Sequence, residues 1–269
     1  MAVAISGDKM KYGFIGCGNM GGALIRAVAK QTKDIMIADF DSVKAIYLAK
    51  ELGLTVGDNK EIAQSCDRIF LGVKPQVMAE MLGEIKDILN IKKPTLISMA
   101  AGLTTNKIKQ LAGDMPVIRI MPNTPVSVGE GVILYCSNGV PDEVVSDFVN
   151  DMQYSGKLYA IDEGLMDAGC SVSGCGPAFM YTFAAAVAKG GTECGLSEQQ
   201  AIEFAAATMM GAAKMLLTSD KTPDELTQAV CSKGGSTIEG VNVLKNSEFE
   251  SVVVDCIKAA YKRNKELGK

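Results

Sequence analysis

The fold of this chain is decided by the stretch Gly13-Phe14-Ile15-Gly16-Cys17-Gly18-Asn19-Met20-Gly21-Gly22. A short apolar strand runs into glycines spaced G-x-G-x-x-G, and apolar residues then follow at helical spacing. In such a turn Gly16 permits the tight bend, Gly18 lets the backbone approach a pyrophosphate, and Gly21 lets the helix pack on the strand. We therefore predict a dinucleotide site that holds an anion at the helix N-terminus. It consists of Gly16, Cys17, Gly18, Asn19, Met20 and Gly21. The alternative is a glycine turn that packs strand on helix and binds nothing.

A second predicted strand, over residues 34–39, ends in an acidic side chain. Asp39 lies 18 residues after Gly21, where a carboxylate accepts hydrogen bonds from the ribose hydroxyls and repels a 2′-phosphate. The position therefore favours NADH over NADPH. The alternative is an aspartate that forms the turn and caps the next helix. Lys44 is the one cation close behind this strand in the sequence.

Strands and helices alternate through the first half of the chain. We predict further strands at 54–56, 68–73, 94–98, 117–121, 132–136 and 157–161, with helices at 43–52, 77–89, 104–112 and from about 141. This order is typical of an α/β, Rossmann-type, doubly wound sheet. The predicted domains are a leader or disordered segment over 1–9, a dinucleotide-binding domain over 10–162 and a helical domain over 163–269.

The second half changes to helices alone. Helix starts with capping-box spacing occur at Ser197, Thr222, Ser236 and Ser247. Residues 177–190 are apolar on nearly every face, so this helix needs burial on all sides. Because about a hundred residues cannot supply that burial, we predict a homo-oligomer formed through the helical domain. The segment Ser232–Thr237 predicts an anion site of backbone N–H groups and hydroxyls, with an ordinary interhelical loop as the alternative.

Composition excludes several classes of protein. The 269 residues carry a net charge of −4 without a Lys/Arg cluster, so nucleic acid is not an expected partner. The longest apolar run is judged too short to span a bilayer, and no signal peptide opens the chain, so we expect no membrane partner. The eight cysteines lack a C-x-x-C spacing and suggest reduced thiols in the cytoplasm. The sequence has no histidine, so we expect no metal site and chemistry that uses hydroxyls, carboxylates, lysine, backbone dipoles or a cofactor.

Ordered motifs along nearly the whole chain resemble the pyrroline-5-carboxylate reductase family. Beside the glycine turn they are Val73-Lys74-Pro75, Ala100-Ala101-Gly102, Arg119-Ile120-Met121-Pro122-Asn123-Thr124-Pro125, Ser173-Gly174-Cys175-Gly176-Pro177-Ala178 and Gly234-Gly235-Ser236-Thr237-Ile238. The resemblance implies reduction of 1-pyrroline-5-carboxylate to L-proline by NADH or NADPH, the last step of proline biosynthesis. It also implies a small-molecule substrate and an intertwined helical homodimer that can assemble into a decameric ring.

The resemblance also implies roles for individual residues. The cofactor would be lined by Asn59, Val73, Lys74, Pro75, Ala100 and Ala101, in addition to the glycine turn. Substrate would face Glu163, Ser232, Gly234, Gly235, Ser236 and Thr237, with the substrate carboxylate on the loop N–H groups. Thr237 is the predicted catalytic residue, because its hydroxyl would bond the imine nitrogen while the cofactor supplies the hydride.

The sequence departs from the family pattern at several positions near these motifs. Lys233 replaces a usual proline, Cys175 and Phe179 replace a serine and a tyrosine, and Thr227-Gln228 replaces a Lys-Asp pair. Two other functions are alternatives. A β-hydroxyacid dehydrogenase needs a lysine followed four positions later by asparagine, and Lys189, Lys214 and Lys258 fail that spacing. A nucleotide-sensing protein without activity would not need the Ser236-Thr237 helix start.

Overall fold

A computed structural model describes residues 10–267 of the chain. The predicted leader, residues 1–9, lies outside the described residues. The described chain divides into two compact units, residues 10–175 with 261–267, and residues 176–260. Each unit is considered by itself below.

The first unit is built on one eight-stranded sheet in the order β3-β2-β1-β4-β5-β6-β7-β8. The strands from β1 to β6 run parallel, whereas β7 pairs antiparallel with β6 and parallel with β8. The carboxyl ends of β1 to β6 therefore lie at one edge, which is where ligands bind in open α/β sheets. The strands are β1 Met10–Ile15, β2 Ile35–Ala38, β3 Thr55–Val56, β4 Cys66–Leu71, β5 Thr95–Ser98, β6 Val117–Pro122, β7 Gly131–Asn138 and β8 Gly156–Ala160.

Helices follow most of these strands. They are α1 Asn19–Val28, α2 Ser42–Leu52, α3 Asn59–Ser65, α4 Pro75–Lys92, α5 Thr105–Ala112, α6 Asp142–Asp151 and α7 Met166–Ser173. As expected from the sequence, α2 ends at Gly53, which adopts the left-handed conformation. The helix α3 was not predicted, although Asp58 and Glu61 form a complete capping box at its start.

Two apolar clusters cover the two faces of the sheet, because its central strands are buried on both sides. Phe14 of β1 stacks on Phe70 of β4, with ring centroids 4.1 Å apart. A buried polar group accompanies this stack: the Tyr12 hydroxyl donates to Asp151 at 2.6 Å, and Arg68 lies 3.8 Å from the same carboxylate. These contacts fix α6 against β1 and β4.

The second unit is helical, as the sequence predicts. It contains α8 Gly176–Glu193, α9 Glu198–Thr218, α10 Pro223–Val230, α11 Ser236–Lys245 and the part of α12 Phe249–Leu267 up to residue 260. Ser197 and Thr222 form the predicted capping boxes. The prediction for Ser236 is wrong: Gly235 is the N-cap of α11 and Ser236 is already helical, so its side chain does not cap the helix.

The long helices of this region leave most of their apolar side chains exposed. Within α8 only Gly176 and Ala184 are buried, and Met210 of α9 is 72% exposed. By length and composition, the stretches Glu163–Glu193 and Glu198–Thr218 could each cross a membrane. The expectation that apolar runs here are too short is therefore wrong on length, because the two stretches are 31 and 21 residues long. Such surfaces require a covering partner.

Candidate functional site

The glycine turn lies at the carboxyl end of β1, as the sequence predicts. Gly16 has a φ of +109°, and a Cβ there would lie 2.7 Å from the backbone oxygen of Gly72 in the neighbouring loop. A Cβ on Gly21 would lie closer than 3.0 Å to the Gly16 carbonyl oxygen. Both glycines are therefore required for the turn itself to close.

Gly18 differs from its neighbours because a Cβ there would meet no atom within 4 Å. Protein packing therefore does not explain the glycine, whereas a ligand approaching the backbone would. Gly18 is also the N-cap of α1 and offers no side chain to cap it, which leaves first-turn N–H groups available to an anion. The turn fits the pyrophosphate of a dinucleotide.

Asp39 follows β2 and is bonded directly to the glycine turn. Its Oδ2 accepts the Cys17 N–H at 2.6 Å, and its Oδ1 accepts the Asp41 N–H at 2.9 Å. The carboxylate thus stabilises the β2–α2 turn, as the structural alternative proposed, although it does not cap α2 by a side-chain bond. The Asp39 carboxylate also lies beside the glycine turn, where it could accept hydrogen bonds from the ribose hydroxyls of a dinucleotide.

The other predicted cofactor residues follow neighbouring parallel strands. Asn59 is the first residue of α3, Lys74 and Pro75 begin α4 after β4, and Ala100 and Ala101 follow β5. Backbone bonds join the loops: the N–H of Gly16 donates to Ala38 at 2.8 Å, and that of Gly72 donates to Ile15 at 2.8 Å. The structure therefore brings these residues to one edge of the sheet.

A groove of about 560 Å³ adjoins the glycine turn between α1 and α2. Cys17, Gly18 and Asn19 line it on one side, and Lys44 and Tyr47 line it on the other. Burial, with Asp39 as a smaller cause, raises the pKa of the Cys17 thiol to about 12. At neutral pH this thiol is therefore protonated and contributes shape to the turn instead of a nucleophile.

Glu163 is held by three donors within the first unit. Its Oε1 accepts the Thr105 N–H at 2.7 Å and lies 3.3 Å from Nη1 of Arg119, while its Oε2 accepts the Thr105 hydroxyl at 2.8 Å. A groove of about 830 Å³ also reaches Glu163 and Asn138. The role of Glu163 toward the substrate stays a prediction.

Arg119 and Thr105 were given no function from the sequence. Arg119 belongs to a quoted motif, but nothing in the spacing shows that its side chain is only 3% exposed or that it meets a residue 44 positions later. Nothing in the sequence indicated a functional role for Thr105, apart from its position at the start of a predicted helix. Sequence reasoning missed this cluster because its members meet only through the fold.

The predicted substrate loop lies in the second unit, between α10 and α11. Gly234 has a φ of +74°, and the Gly235 N–H donates to the Ser232 carbonyl at 3.0 Å. The positive φ favours glycine at 234, whereas a Cβ on Gly235 would lie 2.5 Å from Ser232 Oγ and would require that side chain to move. Ser236 and Thr237 are exposed in the first turn of α11, whose N-terminus has no side-chain cap. The local geometry fits an anion site.

Among residues 10–267, no group of three or more His, Cys, Asp or Glu side chains is arranged to hold a metal ion. The glycine turn offers backbone N–H groups beside the Asp39 carboxylate, and the start of α11 offers backbone N–H groups and hydroxyls. Such an arrangement suits a dinucleotide at the sheet edge and a small anion at the start of α11.

Comparisons with known proteins match both halves of the chain. Residues 163–267 match the family described as pyrroline-5-carboxylate reductase dimerisation, and residues 11–102 match the family described as NADP oxidoreductase, coenzyme F420-dependent. The pyrroline-5-carboxylate reductase of Aquifex aeolicus (strain VF5) is 36% identical over 263 residues, which cover 96% of this chain and 97% of that protein. The enzyme of the same name from Escherichia coli (strain K12) is 35% identical, with 97% and 99% covered.

The chain belongs to the pyrroline-5-carboxylate reductase family. Solved structures agree. The reductase from Coxiella burnetii has a TM-score of 0.91 at 28% identity and covers 97% of this chain and 100% of its own. The Plasmodium falciparum structure, described with NADP bound, has a TM-score of 0.84 at 29% identity and covers 97% and 99%. Family membership makes the chain an oxidoreductase that uses NAD(P)H, and it confirms a Rossmann-type domain followed by a helical dimerisation domain.

Proposed function

We propose that this chain catalyses the NAD(P)H-dependent reduction of 1-pyrroline-5-carboxylate to L-proline, the last step of proline biosynthesis, in the cytoplasm. The observation that carries the proposal is the match to reductases of that name over nearly the whole of both chains. The glycine turn supports it because Gly18 is free of packing constraints and leaves the N-terminus of α1 uncapped.

Residues of the first unit would hold the cofactor. The N–H groups after Gly18 bind the pyrophosphate, Asp39 accepts the ribose hydroxyls, and the loops at Asn59, 73–75 and 100–101 line the remainder. When bound, the reduced nicotinamide supplies the hydride that converts a cyclic imine into an amine. We further propose NADH as the preferred cofactor, because the negative charge of Asp39 disfavours a 2′-phosphate.

The start of α11 would hold the substrate. The uncapped backbone N–H groups of Ser236 and Thr237, with the Ser232 hydroxyl, bind the carboxylate. Gly234 and Gly235 shape the loop beneath it, since the Gly235 N–H is bonded to the Ser232 carbonyl. The Thr237 Oγ accepts a hydrogen bond from the protonated ring nitrogen and so keeps the proton at that nitrogen. The protonated imine has an electrophilic carbon. Holding both ends of a small ring also fixes its orientation, which contributes much of the rate.

The test is an assay of purified protein with 1-pyrroline-5-carboxylate and NADH or NADPH, with proline measured as product. Thr237→Ala is expected to lower kcat by about 100-fold, whereas Thr237→Ser keeps the hydroxyl and most of the activity. The absence of proline formation by the wild type would contradict the proposed reaction. Normal turnover by Thr237→Ala would contradict the role of Thr237 alone.

We also propose a homodimer formed through the helical unit, with assembly into a decameric ring, and no nucleic-acid or membrane partner. The exposed apolar faces of α8 and α9 support a protein partner, since the matched family is described by its dimerisation. A second copy of the chain would cover these faces without a membrane.

A further inference from the structure

Glu163 follows β8 and accepts two hydrogen bonds from Thr105. Thr105, which it holds, is the first residue of α5 and directly follows the loop 99–104. That loop includes Ala100 and Ala101, two of the residues assigned to the cofactor. Whatever fixes Thr105 therefore fixes the end of a loop that lines the cofactor.

The loop itself has weak internal bonding. The Ala100 N–H lies 3.4 Å from Ser98 Oγ, the Leu103 N–H lies 3.4 Å from the Ala100 carbonyl, and the Met99 N–H lies 3.5 Å from the Leu71 carbonyl. These distances are at the long limit of hydrogen bonding. By contrast, Glu163 accepts both Thr105 donors at 2.7 and 2.8 Å. Glu163, a side chain 58 residues away, thus makes the shortest hydrogen bonds at the end of the loop.

Arg119 makes this anchor an ionic one. Its guanidinium is almost fully buried, its Nη1 lies 3.3 Å from Glu163, and its Nη2 lies 3.9 Å from Asp167. Its Nε has no hydrogen-bond partner within the described part of the chain. A buried guanidinium requires a close carboxylate, so Glu163 and Arg119 hold one another. Asn138 completes the cluster by donating to Thr105 Oγ1 at 3.2 Å.

We infer that Glu163 is a positioning residue for the cofactor, acting through Thr105 and Arg119 to hold the loop 99–104 at the sheet edge. The inference rests on the proposed function for the identity of the cofactor. It gives Glu163 a task that is separate from any contact with substrate. Because the hydrogen bonds at Met99, Ala100 and Leu103 are long, loss of the anchor weakens cofactor binding before it affects the chemical step.

Glu163→Gln tests the anchor with almost no change in volume. Thr105 Oγ1 already accepts from Asn138, so its hydrogen must go to Glu163 Oε2. A glutamine amide has one acceptor oxygen, so it cannot accept both Thr105 donors as the two glutamate oxygens do. The buried Arg119 would also lose its nearest negative charge. Asp162→Asn is the matched control, because it removes a charge from the adjacent, exposed residue.

The measurements are NADH dissociation constants for the substrate-free protein, by fluorescence titration, and amide hydrogen exchange of residues 99–106 without cofactor. Glu163→Gln is expected to raise the NADH Kd about tenfold and to speed exchange in that segment. At saturating NADH, the KM for 1-pyrroline-5-carboxylate should change less than about twofold. Asp162→Asn should match the wild type.

Thr105→Val, a milder change that keeps the N–H, should raise the NADH Kd about threefold. This second variant covers the case in which Glu163→Gln does not fold.

Two results would overturn the inference. If Glu163→Gln raises the KM for the imine and leaves the NADH Kd unchanged, Glu163 acts on the substrate. If only the melting temperature falls, with Kd and exchange unchanged in both variants, the cluster is structural. Neither measurement on the substrate-free protein requires turnover of the imine, so failure of the proposed reaction is distinguishable from failure of this inference.

Discussion

Asp39 has two roles, selection of the cofactor and acceptance of a hydrogen bond from the glycine turn, and different substitutions affect them differently. The carboxylate is expected to select NADH by repelling a 2′-phosphate, and it also accepts the Cys17 N–H of the glycine turn at 2.6 Å. A substitution that removes both properties would weaken every dinucleotide. The two tasks can be separated by a variant that keeps an acceptor oxygen and loses the charge.

Asp39→Asn is that variant. We expect the ratio of kcat/KM for NADPH to that for NADH to rise about tenfold or more, because about 1.4 kcal/mol of repulsion corresponds to a factor of ten. Asp39→Ser, with a shorter side chain, should shift the ratio similarly but lower both values, since the Cys17 N–H loses its acceptor. The measurement is steady-state kinetics with each cofactor. A wild type that strongly prefers NADPH would contradict the assignment.

Tyr12 couples folding stability to alkaline pH. Burial, followed by the hydrogen bond to Asp151, raises the pKa of this fully buried hydroxyl well above its usual range. Its pKa is about 10 in the unfolded chain. The stabilisation is therefore fully present below pH 10 and is lost as the pH rises above it, because the unfolded chain releases the proton first.

We expect the free energy of unfolding to fall above pH 10 with a contribution from Tyr12 of up to about 1.4 kcal/mol per pH unit. Tyr12→Phe removes the titrating hydroxyl and should give a shallower slope, at the cost of a lower stability near pH 8. Urea unfolding at pH 8 to 11 measures both. Equal slopes for the two proteins would show that Tyr12 is not the group responsible.

At the scale of elements, the strand–turn–helix unit at β1 and α1 separates closure of the turn from binding. A Cβ at Gly21 would overlap the Gly16 carbonyl, whereas a Cβ at Gly18 would meet no protein atom within 4 Å. Two glycines of one motif, three positions apart, are thus needed for different reasons. The sequence motif alone does not make this distinction.

We expect Gly21→Ala to destabilise the fold by about 1–3 kcal/mol through overpacking. Gly18→Ala should keep the wild-type melting temperature and raise the NADH Kd at least about tenfold, since the methyl group occupies the path of the pyrophosphate. Thermal unfolding without cofactor and fluorescence titration with NADH test the pair. A Gly18→Ala protein that binds NADH normally would contradict the assigned pyrophosphate site.

Local sequence patterns predicted helices and strands well where a single physical cause, such as burial or helix capping, determined the structure. Continuous apolar runs marked the buried parallel strands, and the Thr222 capping box marked α10 correctly. The start of α11 was misplaced because Ser236 and Glu239 have capping-box spacing, although Gly235 already has the extended backbone of an N-cap. No local pattern could show that Glu163 meets Thr105, because contacts between distant residues depend on strand order and helix placement. The predicted cofactor residues lie together because they follow the ends of parallel strands, and their contact with the cofactor stays a prediction.

At the scale of the whole molecule, the first unit has a large buried apolar core, whereas the second leaves most of its large apolar side chains exposed. The sheet has two buried clusters, whereas Tyr181, Met210 and Leu217 of α8 and α9 are 65%, 72% and 64% exposed. Exposed apolar surface of this extent marks an interaction site. The family description of this region as a dimerisation domain gives the occupant as a second copy of the chain.

Met210→Glu should weaken that association. Burying a methionine contributes about 1.5–3 kcal/mol, and a symmetric interface loses the contribution from both copies, so the dimer Kd should rise at least about 100-fold. Ile91→Glu is the control, because Ile91 is 87% exposed at the end of α4 in the first unit. Sedimentation at micromolar concentration should show a wild type and an Ile91→Glu protein that are dimeric or larger. Met210→Glu should shift toward the 28.4 kDa monomer. A monomeric wild type would contradict the interface as a whole, whereas an unchanged Met210→Glu dimer would show that this part of α9 lies outside it.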